Sequence, residues 1–119
     1  MLKKVFTDET FVTQELLDEL YRSRQMPGAK EAVVKVIRRT VNLRGVRSDF
    51  VYLDDLPGLD MPLMIVWGAQ DLILPVSHAY RASEVSPNAL LKVFDECGHW
   101  PHMERASEFN SLALDFLSE

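Results

Sequence analysis

The run Leu63-Met64-Ile65-Val66-Trp67, closed by Gly68, is apolar at every position before the glycine. A strand with one face in water alternates in polarity. An unbroken run of this length predicts a strand covered on both faces, as in a parallel sheet. Ala89-Leu90-Leu91-Lys92-Val93-Phe94 predicts a second strand. Residues 76–85 between them read as a short helix, stopped by Pro87. After the second strand, the loop Cys97-Gly98-His99-Trp100-Pro101-His102 leads into a final helix. Phe109, Leu112, Ala113, Phe116 and Leu117 give that helix one apolar stripe. Strand, helix, strand, helix predicts an α/β architecture: parallel strands joined by right-handed crossovers.

The first forty-odd residues read as helical. Thr13 is placed to cap a helix carrying Leu16, Leu17, Leu20 and Tyr21 on one face, and Val12 can staple onto Leu17. Pro27-Gly28 breaks the pattern. Ala29, Ala32, Val33, Val36, Ile37, Thr40 and Val41 then recur at helical spacing, with Lys30, Glu31, Lys35, Arg38 and Arg39 mostly toward solvent. Residues 44–62 are punctuated by glycine, aspartate and proline, and read as a linker whose Phe50-Val51-Tyr52-Leu53 docks on the core. The expected division is a helical segment with linker over 1–55 and a βαβα part over 56–119.

Composition narrows the function. Among 119 residues, 13 basic against 18 acidic side chains leave a formal charge of −5. No basic block offsets that balance, which argues against nucleic acid as a partner. The apolar runs fall far short of the ~18 residues a membrane helix needs. Met1-Leu2-Lys3-Lys4-Val5-Phe6 is a poor signal peptide, because no long apolar stretch follows its lysines. Cys97 is the single cysteine, so no intrachain disulfide is possible. A reduced, cytoplasmic setting is expected.

Two residues point to chemistry. Loops that follow neighbouring parallel strands emerge at the same sheet edge, where ligands of open α/β sheets bind. Asp71 lies just beyond the first strand and His99 just beyond the second. Strands ~4.8 Å apart let these side chains meet across the intervening sequence. An aspartate accepting from one imidazole nitrogen fixes the tautomer and stabilises the imidazolium formed when the other nitrogen takes a proton. Gly98 is expected to permit the tight turn that aims His99. Plainer readings stand beside these. Asp71 suits a turn after a strand, and His99 suits a loop histidine bonded to backbone. Trp100 could line an acyl pocket, although packing behind the histidine fits its large apolar area better. Cys97, His99, His102 and Glu104 invite a metal reading, but the spacing is short and no second cluster completes a tetrahedral site. No metal and no cofactor is expected. Cys97 is too close in sequence to His99 to be held as a separate nucleophile. His78 reads as a surface helix residue, and Ser77, Ser83, Ser86, Ser107 and Ser111 read as caps and helix surface.

The stretch Pro62 to Asp71, followed by Ile73-Leu74-Pro75-Val76, resembles the strand and acid loop of α/β-hydrolase-fold enzymes. Val93 to Glu104, followed by Glu108-Phe109-Asn110, resembles their histidine loop and last helix. Cys97-Gly98-His99-Trp100 looks most like the branch that holds meta-cleavage-product C–C hydrolases and related esterases. Residues 1–55 look like the last helices of that family's cap region. The resemblance implies the C-terminal part of an α/β-hydrolase fold, with Asp71 as triad acid and His99 as general base. It also implies a small-molecule ester or diketone substrate and no cofactor.

That family orders its triad nucleophile, acid, histidine, and sets the nucleophile in Gly-x-Ser-x-Gly. Gly28, Gly45, Gly58, Gly68 and Gly98 flank no serine in that way, and no oxyanion-loop glycine motif is present. Two expectations follow. The chain is the acid- and histidine-bearing fragment of a hydrolase whose nucleophile, serine or aspartate, lies elsewhere. Alternatively it is an inactive truncated module that folds by associating with a partner or with itself through an exposed sheet edge.

Overall fold

The computed structural model describes residues 4–43 and 45–118. They divide into two compact units: Thr13–Asp54, and Met1–Val12 together with Asp55–Glu119. The sequence reading grouped residues 1–55. In the structure residues 4–12 pack with the strand-bearing unit instead, because Val5 and Phe6 are buried there.

In the unit Thr13–Asp54, helix α1 spans Gln14–Gln25 and α2 spans Ala29–Thr40. The Thr13 side chain accepts the amide hydrogen of Leu16 and so satisfies one orphan donor of the first turn. Gly28 precedes α2 with φ of 79°, a left-handed conformation that costs a glycine little. One element went unforeseen. Strands β1, Val41–Asn42, and β2, Gly45–Val46, pair antiparallel, with Val41 opposite Val46 and Asn42 opposite Gly45. The predicted linker thus begins inside a tiny hairpin. No described residue of this unit is buried, and Val33, Val36 and Ile37 are each more than half exposed.

The second unit holds the functional edge. Strand β3, Met64–Gly68, and β4, Leu90–Phe94, run parallel in register, Met64 beside Leu90 through Gly68 beside Phe94. Helix α3, Ser77–Val85, makes the crossover and buries Ala79 completely. The final helix is two pieces, α4 over Pro101–Glu104 and α5 over Ala106–Ser118, separated by Arg105 at φ −125° and ψ 41°. Pro101 opens α4, where its missing N–H costs nothing. Arg105 is held aside by its guanidinium, which donates to the carbonyls of Asp95 and Glu96. Phe109, Leu112, Ala113 and Phe116 face inward at half burial, while Leu117 is turned out to solvent.

The apolar side chains buried among the described residues are Val5, Phe6, Ala79, Phe94 and Cys97. Met64 to Trp67 are only half-buried, although their pattern predicts cover on both faces. Each strand of the pair has a single neighbour among the described residues, so each keeps one open edge. The tightest packing lies at the end of β3. A side-chain carbon on Gly68 would overlap the carbonyl oxygens of Cys97 and Gly98. Gly68→Ala is therefore expected to lower stability by about 1–3 kcal/mol, the usual range for overpacking a closed site. Gly58→Ala is expected to lack this penalty, since its added carbon meets nothing within 4 Å. Urea denaturation of the two variants checks the difference.

Candidate active site

The carboxyl ends of β3 and β4 bring two loops together through the backbone. Ala69 N–H donates to Phe94 O at 2.9 Å, extending the sheet contact by one residue. Gln70 N–H then donates to Cys97 O at 2.9 Å, and its side-chain Oε1 accepts Cys97 N–H at 3.1 Å. Gln70 thus ties the loop after β3 to the loop after β4 in both directions. The next residue is Asp71.

The two oxygens of Asp71 divide their work. Oδ1 accepts the amide hydrogens of Ile73 at 2.7 Å and Leu74 at 2.9 Å, the side-chain-to-backbone pattern that makes aspartate a turn residue. Oδ2 lies 2.8 Å from His99 Nδ1. The two readings of Asp71, turn former and histidine partner, are therefore compatible, one per oxygen. The turn is braced from the strand by Trp67, whose indole N–H donates to Leu74 O at 3.1 Å. The Asp71 side chain is only 4% exposed and that of His99 28%. Burial opposes the Asp71 charge. The hydrogen bonds from His99 and from the Leu74 and Ile73 amides outweigh it and hold the carboxyl below its ordinary range.

A carboxylate acceptor at 2.8 Å puts the imidazole proton on Nδ1. That leaves Nε2 as the basic nitrogen, and no described residue hydrogen-bonds to it. The backbone leading into His99 is equally constrained. His99 N–H donates to Val5 O at 2.6 Å, and Gly98 N–H donates to Glu104 Oε1 at 2.6 Å. Gly98 is not among the residues with positive φ. Its glycine requirement comes from close approach: an added carbon would collide with Val5 O and sit 2.9 Å from Glu104 Oε1. The left-handed residue in this loop is Glu96, at φ 50°.

The neighbours sort out the remaining sequence candidates. Trp100 packs edge-on against Phe6 at 5.3 Å between ring centroids. His102 is exposed and lies edgewise to Phe109. No group of three or more His, Cys, Asp or Glu among the described residues is arranged to hold a metal ion. His78 is exposed on α3, its ring edge toward Trp67. Ser86, expected on the surface, is buried at the end of α3, and its hydroxyl has no hydrogen-bond partner among the described residues. Cys97 is fully buried, and desolvation together with the charge of Glu104 pushes its thiol up to about 11. The residues missed from sequence are Gln70, Glu104 and Val5. Gln70 and Glu104 use side-chain oxygens to accept backbone N–H groups, and Val5 uses its own carbonyl, so none of these roles leaves a sequence pattern.

Two outcomes follow. Asp71 has a lowered pKa in the folded state, so its stabilising effect is complete above the ordinary value of 3.8 and is lost as pH falls below it. Urea midpoints of wild type and Asp71→Asn are expected to differ at neutral pH and converge as the pH is lowered through that window. Cys97, its thiol pushed up from the ordinary 9.0 to about 11, is expected to react with a thiol reagent at pH 8 about a hundredfold more slowly than in urea. Equal rates would contradict its burial.

Residues 12–106 match the family described as alpha/beta hydrolase fold. A 2-hydroxy-6-oxononadienedioate/2-hydroxy-6-oxononatrienedioate hydrolase from Pseudomonas sp is 34% identical over 119 residues, 98% of this chain and 41% of that protein. The dihydrolipoyllysine-residue acetyltransferase component of the acetoin cleaving system of Cupriavidus necator is 32% identical over 112 residues, 94% of this chain and 29% of that protein. The crystal structure of a meta-cleavage product hydrolase from Pseudomonas fluorescens, complexed with acetates, superposes with a TM-score of 0.83 at 28% identity, covering 98% of this chain and 43% of the other. The chain spans less than half the length of these relatives. Its parallel pair, crossover helix and terminal helices form part of an α/β-hydrolase fold. With a match running from residue 12 to residue 106, the chain belongs to the alpha/beta hydrolase fold family.

Proposed function

We propose that this chain carries the acid and the base of a hydrolase that cleaves an ester or carbon–carbon bond in a small-molecule substrate. The observation that carries the reading is the 2.8 Å contact between His99 Nδ1 and Asp71 Oδ2, with Nε2 left open. In this arrangement Nε2 takes the proton of an attacking nucleophile and later returns it to the leaving group. Asp71 holds the ring in the required tautomer and stabilises the imidazolium between the two steps. Trp100, next to the histidine and packed on Phe6, supports the loop from behind. The nucleophile, a serine or an aspartate, comes from a part of the enzyme outside these 119 residues, in keeping with the lack of a Gly-x-Ser-x-Gly sequence in them. The named activities of the relatives, among them a 2-hydroxy-6-oxononadienedioate hydrolase, support the carbon–carbon branch of this reading for the complete enzyme.

A second reading has its own observation. The β3–β4 pair keeps open edges and half-buried faces, and such surfaces favour association. In that reading the dyad is inherited but idle, and the chain persists as a self-associating module.

Two measurements separate the readings. The chain alone is expected to hydrolyse p-nitrophenyl esters no faster than buffer. Mixed with the separately produced remainder of the Pseudomonas relative, it is expected to gain turnover. Asp71→Asn is then expected to lower that turnover roughly 10⁴-fold, the scale on which a wrong histidine tautomer acts. A mixture as inactive as the chain alone would favour the idle module. Light scattering at micromolar concentration is expected to find the isolated chain as a dimer or larger. A monodisperse monomer would count against association through the open strand edge.

A further inference from the structure

Resting on the reading of His99 as a base, we propose that Glu104 is a positioning residue that sets the height and orientation of His99. One carboxylate ties the residue before His99 to the N-terminal segment that also receives the His99 N–H. Oε1 accepts Gly98 N–H at 2.6 Å, immediately before His99. Oε2 accepts Thr7 N–H at 2.7 Å and the Thr7 hydroxyl, and lies 3.4 Å from Asp8 N. Thr7 is two residues from Val5, whose carbonyl takes His99 N–H at 2.6 Å. The hydrogen bonds close a ring: His99 to Val5, along the chain to Thr7, to Glu104, and back to Gly98.

Three features make this ring more than surface decoration. The acceptor is a carboxylate, and hydrogen bonds to an ionised acceptor are shorter and about twice as strong as neutral ones. Glu104 closes α4, and Pro101 at its start is buried, so the carboxylate is delivered from a fixed element rather than a free loop. Gly98 has no spare space, since even one added carbon would strike Val5 O and press on Glu104. The peptide before His99 is therefore gripped between the N-terminal segment and α4. On its other side Gln70 holds Cys97. Removing the Glu104 carboxylate frees Gly98 N–H and lets the peptide carrying His99 drift. The Asp71 side of the dyad, anchored in its own turn, stays where it is. Catalytic constellations tolerate displacements of only about 0.5 Å.

The test uses the full 119-residue chain and nuclear magnetic resonance of its ring protons. In wild type the His99 Nδ1–H, bonded to Asp71, is expected as a slowly exchanging low-field signal. Trp67 Nε1–H, bonded to Leu74 O, serves as an internal control on the Asp71 turn. In Glu104→Ala the His99 signal is expected to exchange with water about tenfold faster, the factor that one lost hydrogen bond commonly carries. The Trp67 signal is expected to stay in place. A purely structural role would predict instead an unchanged His99 signal with a lower melting temperature, and that result would overturn the proposal. So would equal loss of both signals in a protein that remains folded. Should the alanine variant not fold, Glu104→Gln decides, because its amide has one acceptor oxygen where the carboxylate has two, so either Gly98 N–H or Thr7 N–H loses its partner and the ring opens. Faster His99 exchange in this variant supports the proposal, and wild-type exchange overturns it. A wild-type protein with no His99–Asp71 signal would overturn the dyad itself along with the role of Glu104. A wild-type signal that persists in both variants would overturn only the role of Glu104.

Discussion

Three consecutive backbone N–H groups, those of Cys97, Gly98 and His99, each end on a different part of the chain. Cys97 donates to the Gln70 side chain, Gly98 to Glu104 and His99 to Val5. A loop would ordinarily lay such donors in water. Here Cys97 and Gly98 are buried, so their donors need protein acceptors. Satisfying them draws the loop after β3, the helix after the loop and the N-terminal segment onto one point. The imidazole stands on that point, so its direction depends on all three attachments together. The Asp71 carboxylate then meets a ring already aimed by the backbone. The 2.8 Å contact is the outcome of this arrangement as much as its cause.

The strand pair was legible because its signal is local. An unbroken apolar run closed by Gly68 and a second apolar run ending at Phe94 leave few choices, and the intervening helix makes a parallel pairing the natural one. Asp71 and His99 were legible for the same topological reason, since parallel strands send their following loops to a common edge. The supporting residues were not. Gln70 is an exposed polar side chain and Glu104 one acid among eighteen. Their importance lies in accepting backbone hydrogens at long sequence separation, which no periodicity encodes. Val5 contributes only a carbonyl, the one group that every residue has. The burial of Phe6 on Trp100 was hidden likewise, because a short apolar stretch before a helix reads as lead-in rather than core.

Gly98 shows how a residue read for a tight turn can be required for closeness as well. Val5 O and Glu104 are pressed against the place a side chain would occupy. Gly68 follows the same logic from the opposite loop, its missing side chain vacating the space that the Cys97 and Gly98 carbonyls fill. Two glycines at one sheet edge thus let three backbone segments approach without a side chain between them. The left-handed position itself falls to Glu96, on the exposed side of the same loop, where its carboxylate pairs with Arg105 at 3.6 Å.

The contrast between the tight edge and the thin body of this unit has a physical consequence. A parallel pair is ordinarily covered on both faces, yet Met64 to Trp67 reach only half burial and five apolar side chains make up the described core. Apolar burial contributes roughly 25 cal/mol per Å², so half-covered strands leave much of their stabilising potential unused. Hydrogen bonds at the edge do not replace it, because each contributes only about 1 kcal/mol net. The same open strands that limit the stability of the unit are the surfaces on which further layers of an α/β-hydrolase fold would be laid. Gly68 joins the two regions: it is the last residue of β3, and its missing side chain leaves the space in which the Cys97 and Gly98 carbonyls rest.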